Sequence, residues 1–214
     1  MNLNNSDLII IGEIDRASTI IFWFHGYGSN NWSFEATMKM LNLSMDNDVC
    51  IIMPNAPYVD NKRSWYPLPT SNSAGTIKED HDGLRKSKNS INQFIKDFKL
   101  REEQKIIVGG FSQGAALSLS MLFETDHIFN GCIALSGYMP SAEYHKNFKI
   151  AKSDIFIAHG YSDQAISFKD YEKTINFLSS KTSRITSYTA DFGHTVTKEV
   201  NNKIIDWLKK KYEP

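Results

Sequence analysis

The sequence predicts an α/β fold: a mostly parallel central sheet with helices on both faces. Three observations point there. Strand-length apolar runs recur along the chain, most are followed by glycine or proline, and a stretch with helical spacing then follows. The runs are Leu8–Ile11, Thr19–Phe24, Val49–Met53, Lys105–Val108, Gly131–Leu135, Asp154–Ala158 and Arg184–Thr189. The clearest helix is expected over Glu79 to Phe98, where Leu84, Ile91, Ile95 and Phe98 share a face. A second is expected over Thr195 to Lys211, with Val196, Val200, Ile204, Trp207 and Leu208 on one stripe. Both stripes read as core.

Composition bounds the rest. With 214 residues, 41% apolar and 22% charged, the chain suits one sizeable core, so a single domain over 1–214 is expected. Lys plus Arg and Asp plus Glu both number 24, and this zero net charge argues against nucleic acid as a partner, because each phosphate contact needs a cation. The run Lys209–Lys211 closes a helix, where cations offset the dipole. The longest apolar run, Ile20 to Phe24, is far shorter than the roughly 20 residues of a membrane span, so no transmembrane segment is expected. Met1 to Asn5 carries no basic n-region, and a cytoplasmic protein is expected. Cys50 and Cys132 lie in apolar runs without a second Cys or His at ligand spacing, and read as core thiols. The stretch Asn55 to Thr76 differs in texture, with Pro57, Pro67 and Pro69 among Tyr58, Trp65, Tyr66 and Leu68, and reads as a long functional loop.

The chemistry centres on Gly110-Phe111-Ser112-Gln113-Gly114, a nucleophile-elbow pattern placed between an apolar strand and the helix-forming Ala115-Ala116-Leu117-Ser118-Leu119. Ser112 would sit at a helix N-terminus, where free amides favour a developing oxyanion. A serine hydroxyl needs a base and a group to orient that base. In this arrangement they follow the serine as acid, then histidine. His194, in the turn Asp191-Phe192-Gly193-His194-Thr195 after a late strand, is the expected base. Asp163 lies just past the end of a strand, where ligand sites form, and is the expected acid. Asp191 competes by proximity to His194, and Asp154 opens its strand at the wrong edge. The glycine turn His25-Gly26-Tyr27-Gly28 after Thr19–Phe24 suits an oxyanion loop, with the Tyr27 and Gln113 N–H groups as donors.

These segments together resemble the phospholipase/carboxylesterase family of α/β-hydrolases, which includes the acyl-protein thioesterases. Seven matches occur in order. His25-Gly26-Tyr27-Gly28 is similar to the family's HGxG loop, Pro54-Asn55-Ala56-Pro57 to P-x-A-P, Trp65-Tyr66 to a Trp-aromatic pair, and Gly110 to Gly114 to GFSQG. Leu135-Ser136-Gly137-Tyr138 is similar to LSGY, His159-Gly160-Tyr161-Ser162-Asp163 to HGxxD, and Gly193-His194 to the closing GH. The resemblance implies an α/β-hydrolase fold without a separate cap domain and a serine esterase or thioesterase with Ser112 as nucleophile, Asp163 as acid and His194 as base. It implies no metal and no cofactor. It also implies a substrate-binding acyl groove, with Trp65, Tyr66, Leu68, Met139 and Ile166 as wall candidates, and substrates that are small acyl esters or acylated proteins and lipids. A homodimer is left open. The sequence departs from the family at Ala115, where a second glycine is common, at Ser167, where proline is usual, and at Ser29-Asn30, where aspartate is common. The readings to be separated by experiment are a carboxylesterase or thioesterase, a lysophospholipase, and a non-catalytic binding protein of the same fold.

Overall fold

The computed structural model describes residues 7–71, 77–123, 129–150 and 152–212. The strands that build the main sheet are β1 (Ile9–Ile11), β2 (Thr19–Phe24), β3 (Val49–Met53), β8 (Lys105–Phe111), β9 (Gly131–Leu135), β10 (Asp154–Gly160) and β11 (Ile185–Ala190). They lie in the order β1-β3-β2-β8-β9-β10-β11. β1 pairs antiparallel with β3, and every other neighbouring pair is parallel. Among the described residues the α-helices are α1 (Glu35–Ser44), α2 (His81–Asp97), α3 (Gln113–Met121), α4 (Phe168–Ser179) and α5 (Lys198–Tyr212).

The period of two in each strand divides the core between the sheet's faces. Ile20, Phe22 and Phe24 of β2, Cys50 and Ile52 of β3, and Ile155 and Ile157 of β10 pack on one side with residues of α2, α3 and α4. Ile21, Trp23, Val49, Ile51, Met53 and Phe156 pack on the other with residues of α1 and α5. Burial on both faces explains the unbroken apolar runs. Cys50 and Cys132 are free and buried, with their thiols pushed up by loss of solvent, Cys50 to about 11.

Several boundaries differ from the sequence reading. The helix expected from Glu79 begins at His81, because Asp80 is its cap and accepts the Gly83 N–H at 2.8 Å. The last helix begins at Lys198, three residues later than expected, and runs to Tyr212. The stretch Asn55–Thr76 contains a hairpin of β4 (Tyr58–Val59) with β5 (Lys62–Arg63). It also holds β6 (Thr70–Ser71), which pairs with β7 (Ile77–Lys78) just beyond it. Its segment 72–76, which includes Ser73, Ala74 and Gly75, lies outside the described residues.

Candidate active site

The parallel strands β2, β8, β10 and β11 all end at one edge, and each delivers a loop there. β8 runs into α3 at Ser112, whose backbone is held at φ 55 and ψ −116. A non-glycine residue in that conformation costs about 1–3 kcal/mol and persists only when its surroundings impose it. Here they do: the Ser112 N–H donates to the Leu135 carbonyl at 2.9 Å, and the Ser112 carbonyl accepts from the Ala116 N–H at 3.0 Å. The turn also requires glycine on both sides. A Cβ on Gly110 would lie 2.4 Å from the Phe24 carbonyl oxygen, and one on Gly114 would lie 2.0 Å from it. Ala115 fits where a second glycine was the familiar pattern because Gly137 faces it. A Cβ on Gly137 would come within 2.6 Å of the Ala115 methyl.

His194 and Asp163 come together from different loops. Asp163 Oδ2 lies 2.7 Å from His194 Nδ1, while Oδ1 accepts the Ala165 and Ile166 N–H groups at 2.8 and 2.9 Å. Burial raises the carboxyl's pKa, but the Ile166 amide, His194 and the Ala165 amide outweigh it, and the acid ends below its ordinary value. An ionised Asp163 offers only acceptors, so His194 Nδ1 carries the hydrogen and a neutral ring leaves its lone pair on Nε2. Phe111, the residue before Ser112, packs its ring 4.7 Å from the His194 ring centroid and holds the imidazole beside the elbow. Asp191, the competing acid, instead accepts from the Ser162 hydroxyl at 2.5 Å. Asp154 sits at the far end of β10.

His159 was not singled out by sequence reasoning, although the segment matching HGxxD begins with it. It is fully buried, with Nε2 2.9 Å from the Ile166 carbonyl and 3.6 Å from Asp163 Oδ2. Facing two acceptors, Nε2 must carry the hydrogen. Ile166 is therefore pinned at both its N–H and its carbonyl, and the loop carrying Asp163 is braced from behind.

The loop after β2 is organised by His25. The Ala56 N–H donates to His25 Nε2 at 3.0 Å, which fixes the hydrogen on Nδ1, and Nδ1 lies 2.7 Å from the Gly26 carbonyl. Burial lowers the His25 pKa to about 4, so the ring is neutral near pH 7 and supports both bonds. Gly28 adopts φ 70, and its N–H donates to the Arg63 carbonyl at 2.8 Å. Gly26 passes close to the elbow, since a Cβ there would lie 3.4 Å from Ser112 Cβ. Tyr27 is thereby brought to the same wall as Ser112 and Gln113. Gln113 is the first residue of α3, so its amide belongs to the helix's unsatisfied first turn.

The Gln113 side chain has a structural task that the motif did not announce. It is buried, its Oε1 accepts the Trp65 N–H at 3.0 Å, and its Nε2 donates to Ser64 Oγ and the Tyr66 carbonyl at 3.0 and 2.8 Å. The long loop is thus bonded directly to the elbow. Ser167, where proline was the familiar pattern, has φ −65, the angle a proline would impose, and caps α4 by accepting the Asp170 N–H at 3.3 Å.

A cavity of about 400 Å³ opens at Ser112. Tyr66, Leu68 and Ile166 line it, together with Pro69, Ala165, Tyr138, Glu79 and Asp170, which the sequence did not nominate. The other two wall candidates need correction. Trp65 is fully buried, donates its indole N–H to the His25 carbonyl at 2.7 Å and packs against Phe24. Met139 is in the core, its N–H donating to Thr174 Oγ1 at 2.8 Å. Both stand behind the wall rather than on it.

The sequence pattern of the phospholipase/carboxylesterase family matches residues 5–212. The chain belongs to that family. Among phospholipase/carboxylesterase relatives it is 34% identical over 167 residues to acyl-protein thioesterase 1 homolog 1 of Dictyostelium discoideum, covering 72% of this chain and 73% of that protein. It is 30% identical over 215 residues to acyl-protein thioesterase 1 of Yarrowia lipolytica, covering 91% and 92%. Its structure is similar to that of Zea mays acyl-protein thioesterase 2, with a TM-score of 0.82 over 95% of this chain and 98% of that one at 19% identity. The fold is therefore that of the α/β-hydrolases, with no separate cap evident among the described residues. The chain is an enzyme, a serine hydrolase of esters or thioesters. Among the described residues no helix is long and apolar enough to cross a membrane.

Proposed function

We propose that the chain cleaves carboxylic ester or thioester bonds of acyl substrates through a Ser112–His194–Asp163 triad and an acyl-enzyme. The observation that supports this most strongly is an imidazole oriented by a buried, ionised aspartate and packed against Phe111, the residue before a serine held at φ 55 on a helix N-terminus. His194 Nε2 takes the Ser112 proton as Oγ attacks the acyl carbonyl, and the Tyr27 and Gln113 amides hold the oxyanion. His194 then passes that proton to the departing alcohol or thiol. Water, deprotonated by His194 in turn, attacks the acyl-enzyme, and the returning proton restores the Ser112 hydroxyl as the acid leaves.

The apolar part of the cavity, Leu68, Pro69, Ala165 and Ile166, receives the acyl chain in this reading. A panel of acyl esters and thioesters from two to sixteen carbons tests it. The value of kcat/KM is expected to rise by up to about fourfold per methylene while the chain is still being buried, at roughly 0.8 kcal/mol each. Activity confined to acetyl esters would contradict the groove, and turnover retained in Ser112→Ala would contradict the triad.

A further inference from the structure

The cavity is not uniformly apolar. Beside the aliphatic residues stand the acidic residues Glu79 and Asp170 and the tyrosines Tyr66 and Tyr138, and among the described residues no Lys, Arg or His lines it. In a chain whose net charge is zero, this is a locally acidic cavity.

The two carboxylates are not equivalent. Asp170 accepts from Lys173 Nζ at 2.8 Å and from Ser167 Oγ at 2.7 Å, so its charge is largely answered from outside the cavity. Glu79 accepts the Ser141 N–H, a neutral donor, and has no ion pair among the described residues. Its charge is felt by the phenols. Burial is the main cause that pushes both the Tyr66 and Tyr138 hydroxyls upward and keeps them protonated. Tyr138 and then, to a lesser degree, the Glu79 carboxylate add to it at Tyr66, and Glu79 adds to it at Tyr138 while Tyr66 opposes it. The Tyr66 hydroxyl is buried and makes no hydrogen bond of normal geometry among the described residues, though Tyr138 is near enough to perturb it. On the Tyr27 side, the Lys62 ammonium lies over the Tyr27 ring, 5.5 Å from its centroid.

We propose that this cavity selects acyl groups by charge, taking a chain whose far end bears an ammonium group over one that ends in a carboxylate, with Glu79 as the specificity determinant. An ammonium gains the Glu79 charge, the Tyr138 phenol oxygen as an acceptor and aromatic faces. A carboxylate could draw a hydrogen bond from a phenol, but only by losing solvent beside a second carboxylate. The proposal rests on the serine-hydrolase reading given above and names the substrate class of the same site.

The test compares kcat/KM for p-nitrophenyl esters of 6-ammoniohexanoate, heptanoate and adipate, which have acyl chains of matched length, at neutral pH and low salt. The ammonium ester is expected to exceed the adipate ester by about tenfold or more, the equivalent of one pKa unit of interaction. That ratio is expected to fall several-fold in Glu79→Gln, where the amide oxygen can still accept the Ser141 N–H. A ratio near one, an inverted ratio, or a ratio unmoved by Glu79→Gln would overturn the proposal. Should that variant fold poorly, salt decides within the wild-type protein: added KCl must shrink the ratio, and a salt-independent ratio overturns the proposal. Turnover of the neutral heptanoate ester separates the two readings. If it persists while the ratio is near one, charge selection alone is wrong; if no ester is turned over, the hydrolase reading falls with it.

Discussion

Asp154 opens β10 and Asp163 follows three residues after its end, and both are nearly excluded from solvent, each about 5% exposed. Their charges are balanced by different chemistry. Burial raises the carboxyl pKa of Asp154, and Lys211 and Arg184, at 2.8 and 2.6 Å, more than reverse that. Asp163 also ends below its ordinary value, but against the same burial it has backbone amides and an imidazole N–H and, among the described residues, no Lys or Arg. The difference teaches what each end of the sheet is for. A carboxylate neutralised by two cations ties β10 to β11 and α5. One held by amides keeps its field directed at His194 and stabilises that ring when it becomes charged. Burial and a lowered pKa alone would not separate the two residues; the identity of their partners does.

The largest effect should come from Asp163→Asn. The carboxamide can donate to His194 Nδ1 and favour the wrong tautomer, so kcat is expected to drop by about 10³–10⁴-fold, measured on a short p-nitrophenyl ester. The melting temperature should change little.

Asp154→Ala should reverse that pattern. Turnover is expected to stay near wild type, while chemical denaturation should show a loss of about 1–3 kcal/mol, discounted because Arg184 and Lys211 remain partly in contact with water. An Asp154→Ala protein as stable as wild type, or one that had lost its activity, would break the proposed division of labour.

Acid supplies the smallest and most selective probe. The Asp154 carboxyl titrates lower in the folded chain than in the unfolded one, so its stabilisation is complete above the unfolded value of about 3.9 and is lost as pH falls through the lower folded value. Melts from about pH 7 down to about pH 3 should therefore show a shallower acid limb in Asp154→Ala than in wild type.

Legibility in the sequence followed the same physical lines. The inner strands were readable because they are buried on both faces, as Val49–Met53 is throughout, and the elbow was readable because one strand-to-helix turn fixes the spacing of its glycines, although the backbone that crowds Gly110 and Gly114 is that of Phe24 on a distant strand. Trp65 was misplaced because its indole partner, the His25 carbonyl, lies 40 positions away, and nothing local tells a loop aromatic facing a cavity from one facing the core. Glu79 looked like an ordinary first residue of a helix; only the cap at Asp80 leaves it outside α2. Asp170 belongs to α4, which the apolar pattern did not reveal, and His159 acts through Ile166, seven residues on.

The proposal that Ser112 is an activated nucleophile is tested most directly by intact-protein mass spectrometry after brief exposure to a fluorophosphonate. A single adduct on Ser112 is expected in the wild-type chain, slowed sharply in Asp163→Asn and absent from Ser112→Ala. A wild-type chain that stays unlabelled, or an adduct that survives in Ser112→Ala, would contradict the account.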